Sequence, residues 1–314
     1  MPDMIMTGAA QMDPLMAKLD MLATHYAPWI TFLEWATLVF VPLAIFEFGW
    51  DMMRATGRRV GETVANILVA VGYELSSLMT FGLVLFLTQG LIAPFALFEI
   101  SMTPMMWVVA ILLADFTYYW MHRAEHEVRL FWAYHVTHHS SPEYNLTTAF
   151  RLSWLEGVFE WLFFVPMLLV GFDALATFIA LAVVASYQTW IHTQAIGKLG
   201  WFEGVINTPS AHRVHHGSNP KYLDKNYGGI LLVWDRLFGT YEVEEEPVTF
   251  GITEPVESIN PFVLNFHEFI AIGRDLVQAR SLSEMARCLF APPGTIVRGE
   301  NVGLRKDRNA AHKR

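Results

Sequence analysis

Long apolar runs with almost no charge confine this chain to folds that insert into a membrane. Residues 28–50 contain only Glu34 and Glu47 as charged side chains, and the run can cross a hydrocarbon core of about 30 Å. Similar runs occupy residues 64–98 and 104–121. Each run predicts a membrane-spanning α-helix.

A fourth apolar block covers residues 157–191 and is long enough for a helical hairpin, with its turn at Gly171-Phe172-Asp173. Only 16% of all residues are charged, whereas a soluble domain carries about 25%. We therefore expect an all-α fold, an integral membrane helical bundle of about four to six spans.

Basic residues indicate the orientation of the bundle. Arg54, Arg58 and Arg59 follow the first run, and cytoplasmic loops are enriched in arginine and lysine. If residues 64–98 cross once, as a long or broken helix, the next run returns to the cytoplasmic side. If residues 64–98 crossed the membrane twice, the third run would instead end on the side opposite to the cytoplasm. We favour the single crossing, which predicts a cytoplasmic cap where residues 104–121 end.

Composition also argues against several partners and sites. The formal net charge of −9 opposes a nucleic-acid partner, which requires a basic surface. The single cysteine, Cys288, excludes an intramolecular disulfide and a thiolate metal cage, and we expect it to be a small buried side chain. Residues 1–27 lack the pattern of a secretory signal peptide, so we expect insertion to start at the first apolar run.

Histidine is concentrated beyond the end of the third apolar run. Nine of the twelve histidines lie between positions 122 and 216, in three tight clusters and one isolated position. Imidazole is the commonest metal ligand, and a polar side chain in such apolar surroundings is costly unless it has a function. One ion rarely takes more than four protein ligands, so the set suffices for two ions. The nine are His122 and His126; His135, His138 and His139; the isolated His192; and His212, His215 and His216.

The spacings within the clusters agree with shared metal ions. His122 and His126 are four residues apart, on one face of a helix, and the other two clusters both read HxxHH. Asp115 lies seven residues before the first cluster on the same stripe. It is a candidate metal ligand or an acceptor for the free N–H of a ligand. An ordinary polar residue at a helix end is the alternative interpretation.

Residues 122–126 (HRAEH) also match the HxxEH pattern of inverted zinc peptidases, in which Glu125 would be the general base. That site needs one zinc and leaves about six histidines without a role, so an intramembrane zinc hydrolase is the weaker alternative. A metal transporter is disfavoured because its ligands should line the spans. Neutral nitrogen ligands leave more positive charge on an iron pair than carboxylates do, which suits O2 activation for attack on a C–H bond.

The order HxxxH, HxxHH, HxxHH, with an additional histidine before the last cluster, resembles the fatty acid hydroxylase/sterol desaturase superfamily of membrane di-iron oxygenases. Flanking text at 131–154, 190–200 and 207–242 is similar to the alkylglycerol monooxygenase group within it. The resemblance covers residues 105–245 and implies that the nine histidines hold two Fe ions in a histidine-rich cap. The resemblance to the alkylglycerol monooxygenase group further implies that the chain hydroxylates the carbon beside an ether oxygen. Tetrahydrobiopterin or another electron donor would supply the electrons.

Further candidate residues follow from the resemblance. Glu127 matches a His-Glu pair of that group and is a candidate catalytic residue toward pterin or substrate; a surface glutamate is the alternative. Asn145 and Arg151 match its NLTTAxR text and would orient a headgroup or cofactor; a helix cap and a surface charge are the alternatives. Glu127, Asn145 and Asp115 are thus the candidate catalytic residues.

The chain is expected to divide into N-terminal membrane helices (1–100), a catalytic core (101–245), and an amphipathic segment with a basic tail (246–314). We find no resemblance before residue 100, and we expect most of the further C-terminal apolar segments of the animal members of the alkylglycerol monooxygenase group to be missing.

The predicted reaction is O2-dependent oxidation of a membrane lipid. The substrate is an alkylglycerol ether or, alternatively, a sterol, hopanoid, carotenoid or fatty acyl lipid that is hydroxylated or desaturated. Residues 224–229 predict a turn whose glycines adopt positive φ and which closes the cap.

Overall fold

The computed structural model describes residues 9–53, 60–296 and 303–304. Within these ranges the chain is helical apart from loops and one short antiparallel pair of strands, β1 (Thr295–Ile296) and β2 (Gly303–Leu304). The expected all-α class is therefore confirmed. The helices are α1 (Ala9–Met53), α2 (Val60–Leu87), α3 (Pro104–Glu127), α4 (Arg129–His139), α5 (Glu156–Phe159), α6 (Trp161–Val170), α7 (Ala174–Thr189), α8 (Pro209–His215), α9 (Val233–Phe238), α10 (Pro261–Gln278) and α11 (Leu282–Phe290).

Three helical segments in the described ranges are long and apolar enough to cross a bilayer. They are Tyr26–Trp50, Val60–Phe95 and Pro104–Glu127. The first two turn large apolar side chains outward, such as Trp35 and Leu78, which are 63% and 79% exposed. An apolar surface of this extent is stable against lipid chains and not against water. The chain is therefore an integral membrane protein.

The second span is one continuous helical segment, as the single crossing requires. After α2, a π-helical turn (Thr88–Ile92) and a 3₁₀ turn (Ala93–Phe95) extend it to its end. Pro94 has no backbone N–H to donate, so regular α-helix cannot continue through it. The arginines on which the orientation rests, at 54, 58 and 59, lie outside the described residues. The cytoplasmic side of the cap stays a prediction.

The fourth apolar block forms the expected hairpin, with its turn at Gly171–Asp173. Asp173 begins α7 by accepting a hydrogen bond from the backbone N–H of Ala176 at 2.9 Å. The two helices of the hairpin have 10 and 16 residues, which corresponds to about 15 and 24 Å. Both are shorter than a span, so the expected count of four to six spans stays a prediction.

Three helices begin at the same two-residue signal, a capping side chain followed by proline. Thr103 caps α3, Thr208 caps α8 and Asn260 caps α10, each by accepting a hydrogen bond from a backbone N–H of the first turn. The proline at the next position has a fixed φ that suits the first helical residue and lacks an N–H that would go unpaired there. Two of these helices, α3 and α8, carry histidine clusters, so the caps fix where the clusters start.

The apolar core lies between α1, α3, α6 and α7. Trp107 of α3 packs edge-on against Tyr26 of α1, with ring centroids 5.9 Å apart. Phe164, Met167 and Val184, from α6 and α7, are fully or almost fully buried against α3. This packing fixes α3 within the bundle and so places the start of the histidine cap.

The predicted amphipathic segment contains α10 and α11, and α10 packs on α4. Arg129, at the start of α4, donates to Glu268 at 2.7 Å and to Asp275 at 2.6 Å, both on α10. Cys288 on α11 is buried, as expected. The basic end of the tail, residues 305–314, lies outside the described residues.

Gly171 provides a test of the hairpin. Its φ is +125°, and a Cβ there would lie 2.1 Å from the carbonyl oxygen of Phe98. We expect Gly171→Ala to lower the free energy of unfolding by about 1–3 kcal/mol from the strained backbone alone. The clash with the Phe98 carbonyl oxygen should add to this loss. Thermal unfolding in detergent would measure it. Gly82→Ala is the matched control, because nothing lies within 4 Å of its Cβ position; equal losses in both variants would contradict the role of the turn.

Candidate metal centre

The nine clustered histidines meet at one place and form two adjoining groups. Within each group the candidate ligand nitrogens all lie within 4.8 Å of one another, and every member is buried. The two groups together contain each of the nine predicted ligands. The five-histidine group is His122, His126, His135, His139 and His215, and the four-histidine group is His138, His192, His212 and His216.

Each HxxHH cluster is divided between the two groups. In α4, His135 and His139 are one helical turn apart and face the five-histidine group, while His138 faces the other. The cluster of α8 is divided in the opposite sense, with two members in the four-histidine group and His215 in the five-histidine group. The ligands of both groups therefore come from the same two short helices, together with α3 and His192.

Distances between ring nitrogens match those around a metal ion. His135 Nε2 lies 3.1 Å from the Nε2 atoms of both His122 and His139. His192 Nε2 lies 2.9 Å from that of His212. Metal–nitrogen bonds of about 2.0–2.1 Å bring neighbouring ligand nitrogens to about 3.0–3.4 Å. The side chains are thus already placed to hold ions.

Backbone carbonyls fix which nitrogen of several rings faces inward. His122 Nδ1 donates to the carbonyl of Tyr227, and His215 Nδ1 to that of Lys225, both at 2.9 Å. His192 Nδ1 donates at 2.7 Å to the carbonyl one helical turn earlier. A carbonyl can only accept, so Nδ1 carries the proton and Nε2 keeps its lone pair for a metal.

Burial keeps the imidazoles in the neutral form that binds metals. It lowers the pKa of His192 to about 4, although the hydrogen bond to Gln188 acts in the opposite direction. A neutral ring needs no deprotonation before it binds an ion at neutral pH. Burial first, and neighbouring imidazoles second, likewise lower the pKa well below 6.5 for His135, His138, His139, His212, His215 and His216.

Buried nitrogens without a hydrogen-bond partner also agree with a metal centre. Among the described residues, His216 Nε2 and His138 Nδ1 have no such partner. A buried lone pair without a partner is costly, and an ion beside His216 would satisfy it. Five nitrogens in one group exceed the four ligands of a tetrahedral zinc site. The donor set fits a pair of first-row ions such as iron.

Asp115 holds a loop and does not bond a histidine ring in the described structure. Its carboxylate accepts from the backbone N–H of Ile230 at 2.6 Å and of Leu231 at 3.2 Å, and from the indole N–H of Trp234 at 2.9 Å. The same loop supplies the Tyr227 carbonyl that orients His122. Asp115 therefore acts on the histidines through the loop.

A second buried carboxylate, which the sequence analysis missed, holds the other end of this loop. Asp235 accepts from the backbone N–H groups of Tyr227 and Gly228, both at 2.8 Å, and from the Thr240 hydroxyl at 2.7 Å. It is fully buried. The only signal in the sequence was an isolated acidic residue in the apolar stretch 228–242.

The expected positive φ at the glycines of residues 224–229 is wrong. Positive φ occurs at Asp224 (60°) and Asn226 (57°) instead. The glycines are needed for close approach: a Cβ on Gly228 would lie 2.3 Å from the carbonyl oxygen of Leu231. Asparagine tolerates the left-handed region better than most residues, and the Asn226 side chain is also held by two hydrogen bonds with the backbone of Glu242.

Two further candidate residues lie outside the histidine groups. The Glu127 side chain is 48% exposed at the end of α3, where it accepts a hydrogen bond from Arg123 at 2.9 Å. Asn145 is buried and caps the 3₁₀ turn Leu146–Phe150 by accepting from the N–H of Thr147 at 2.9 Å. Their contacts match the surface and capping alternatives, and their catalytic roles stay predictions.

Arg151 is fully buried, so the alternative of a surface charge is wrong. It donates to the carbonyl of Thr137 at 2.9 Å and the hydroxyl of Ser140 at 2.8 Å, both at the end of α4. It also donates to Asn66 at 2.8 Å and faces Glu62 at 3.3 Å, both on α2. Burial lowers the pKa of Arg151 to about 10, so the guanidinium stays charged at neutral pH. Arg151 joins the second span to the helix that carries the central histidine cluster.

Glu125 lies behind a histidine ring, which disfavours the zinc hydrolase. Glu125 Oε1 accepts from the Tyr134 hydroxyl at 2.8 Å, and Oε2 lies 3.3 Å from His135 Nδ1. Nδ1 is on the opposite side of the ring from Nε2, which faces the other histidines. A general base must instead face the water that a metal activates.

The histidines meet the surface at a small cavity of about 40 Å³, lined by His126, Trp132, His139, Asp224 and Ile252 among others. A groove of about 780 Å³ lies beside it between the start of α2 and residues 250–260, and the two share Ile252. The cavity is large enough for a molecule of the size of O2 or water.

Comparisons with known proteins find a matching family model and several similar proteins. The family model for fatty acid hydroxylase matches residues 107–240. Alkylglycerol monooxygenase of Homo sapiens is 37% identical over 269 residues, which cover 82% of this chain and 59% of the human protein. The Xenopus tropicalis alkylglycerol monooxygenase is 42% identical over 193 residues, which cover 61% of this chain and 43% of the frog protein.

A bacterial relative is also found. Ornithine lipid hydroxylase OlsE of Rhizobium tropici is 29% identical over 153 residues, covering 48% of this chain and 46% of that protein. No solved structure matches the chain. The chain spans about half the length of these curated relatives. The similarity to the human protein must extend beyond residues 105–245, because that range is less than half of this chain; the expected limits were too narrow.

We expect each of the two groups to hold its own ion, and the metal content of variants can test this. We expect His212→Ala to reduce the iron that the purified, reconstituted protein retains from about two ions per chain to about one, because three ligands remain in its group. Elemental analysis would measure the iron. His267→Ala, on α10 and outside both groups, should keep both ions. Two ions in the His212 variant would contradict the division.

A substitution of Arg151 tests how much the stability of the histidine-rich cap depends on its connection to α2. We expect Arg151→Lys to lower the free energy of unfolding by about 2–4 kcal/mol, since one ammonium cannot reach the four acceptors that the guanidinium bonds. Thermal unfolding in detergent is the measurement. Arg287→Lys is the control, because Arg287 is exposed on α11 and bonds only Ser283 in the described structure; an Arg151 variant as stable as this control would refute the anchoring role.

Proposed function

We propose that the chain is an O2-dependent monooxygenase of a membrane lipid with two iron ions as cofactor, and the match of residues 107–240 to the family model for fatty acid hydroxylase supports this. The observation that carries this proposal is the meeting of nine buried histidines in two adjoining groups beside the ends of membrane spans. Iron bound there would supply reductive activation of O2 for insertion of oxygen into a C–H bond.

We propose an alkylglycerol ether as the substrate, because the relatives with 37% and 42% identity are alkylglycerol monooxygenases. One oxygen atom of O2 is inserted into a C–H bond of the carbon beside the ether oxygen, and the other oxygen atom is reduced to water. The balance requires two electrons and two protons, from tetrahydrobiopterin or another donor. The resulting hemiacetal then collapses to a fatty aldehyde and glycerol.

The residues of this chain would support the reaction by holding ligands and limiting access. Neutral imidazoles bind through Nε2 where carbonyls such as that of Tyr227 occupy Nδ1. Asp115 and Asp235 fix the loop that provides that carbonyl. The small cavity at Ile252 restricts the bulk water that reaches the histidines. Glu127 stays the candidate for contact with a pterin or a lipid headgroup. Asn145 stays the candidate for fixing the segment after α4, where it caps the 3₁₀ turn Leu146–Phe150.

Hydroxylation of another polar lipid is the second candidate. It is favoured by the similarity over 48% of the chain to a bacterial protein named ornithine lipid hydroxylase. The similarity covers 46% of that protein and 59% and 43% of the human and frog proteins, so the lipid headgroup is the property that must be tested.

We also propose that the cap faces the cytoplasm. We further propose that residues 1–100, 101–245 and 246–314 have separate roles as membrane helices, catalytic core, and amphipathic segment with a basic tail. Both helix ends that flank residues 54–59 contact the cap. Glu47 near the end of α1 accepts from Leu146 N–H and the Thr193 hydroxyl, and Glu62 at the start of α2 pairs with Arg151 at 3.3 Å. Those flanked residues include three arginines, and loops rich in arginine favour the cytoplasmic side.

The experiment is fatty aldehyde release from an alkylglycerol by the purified, iron-loaded protein in detergent. We expect release that requires O2 and a reductant such as tetrahydrobiopterin and that is lost in His212→Ala. Release of aldehyde without O2 would overturn the monooxygenase. A protein with about two irons that leaves alkylglycerols intact but hydroxylates an ornithine lipid would move the assignment to the second candidate.

A further inference from the structure

Glu125 is a buried carboxylate that the proposed reaction does not use. It lies on α3 between two metal-ligand candidates, His122 and His126, and only 1% of its surface is exposed. A carboxylate in such surroundings is costly unless hydrogen bonds or a positive charge compensate it. Its neighbours therefore indicate what it does.

Both oxygens of this carboxylate have defined positions. Glu125 Oε1 accepts from the Tyr134 hydroxyl at 2.8 Å. The Tyr134 ring is held in turn by Phe159 of α5, which stacks on it with an interplanar angle of 4°. Oε2 is directed at His135, 3.3 Å from Nδ1. The carboxylate is thus fixed on one ligand candidate.

The position of His135 makes this contact important. Its Nε2 lies 3.1 Å from the Nε2 atoms of both His122 and His139, so it is central in the five-histidine group. Binding through Nε2 requires the proton of the ring to be on Nδ1. Nδ1 has no hydrogen-bond partner by strict geometry in the described structure, and Glu125 Oε2 is the acceptor beside it.

Among the described residues, carboxyl groups pair with histidines of one group only. His122, His192 and His215 donate Nδ1–H to backbone carbonyls, whereas His135 faces the buried carboxyl group of Glu125. His126, in the same five-histidine group, has Asp224 at a longer 3.7 Å, and that carboxylate is partly exposed to solvent. Acidic side chains therefore lie beside the five-histidine group, and the ion pairs of the described residues include none with a member of the four-histidine group.

We propose that Glu125 is a positioning residue that orients His135 and makes the two ion sites unequal, with the five-histidine site the tighter and more electron-rich of the two. The inference rests on the proposed two-metal function of the same histidines. A carboxylate that accepts from a ligating imidazole fixes its tautomer and strengthens it as a donor, and such partners typically raise metal affinity about 10- to 100-fold. Burial strengthens the effect of the charge on the ion.

The test is competition for iron between a graded chelator and the full-length protein in detergent, without O2 or lipid. We expect two-step loss of iron from the unsubstituted protein. In Glu125→Gln, which keeps the size and an acceptor but removes the charge, we expect the tighter ion to be weakened about 10- to 100-fold and the other to be unchanged. Tyr134→Phe, which frees Oε1 but keeps the charge, should weaken the same ion less.

Glu156→Gln is the matched control. Glu156 is also a buried carboxyl, on α5, and accepts from the backbone N–H of Ser153. It should leave both steps unchanged. Mössbauer spectra of protein loaded with ⁵⁷Fe give a second measurement: the parameters of one iron should change in Glu125→Gln and those of its neighbour should persist.

Two results would overturn the inference. The first is unchanged chelator competition and spectra in Glu125→Gln, and the second is equal weakening of both ions, which would indicate general damage to the cap. Because no lipid is oxidised in these measurements, the outcome is separate from that of the aldehyde experiment. Unequal ion sites in a protein that oxidises no lipid would sink the proposed reaction and leave the role of Glu125 intact.

Discussion

The structure depends on one constraint: a buried imidazole has two nitrogens, and both need a partner. Burial removes water as that partner and keeps the rings neutral. For His122, His192 and His215 the protein satisfies Nδ1 with a carbonyl, which leaves Nε2 for the centre. The loop around Tyr227 must therefore pass close to α3, and the turn after α7 must hold His192 one helical turn beyond its carbonyl partner.

Polar residues away from the histidines follow from the same constraint. Asp115 and Asp235 hold the two ends of the loop around Tyr227, and Arg151 joins the end of α4 to the second span. Glu47 joins the first span to the segments that follow the second cluster and His192. In a chain this apolar, isolated polar residues act mostly as connections between elements, and each connection fixes a backbone segment that carries ligands.

Much of this arrangement could be predicted from sequence, because it follows from local patterns. Apolar runs predicted the spans, Gly171 marked the hairpin turn, and repeated spacing identified eight of the nine histidines, with His192 as the isolated ninth. The division into five and four could not be predicted, since it depends on how α4 and α8 face each other. Asp235 was missed, and Asp115 was expected nearer to the histidines, because their partners are backbone N–H groups, which leave no mark in sequence.

The interleaving of the two groups has a geometric consequence. Each HxxHH turn sends ligands to both sides, so one rigid turn of helix sets the spacing between the centres of the groups. Neither α4 nor α8 can rotate or slide to adjust one group without moving a histidine of the other. The separation of the two groups is thus built into the pitch of an α-helix, and substitutions in the lipid-facing part of the molecule can change what is bound while leaving that separation the same.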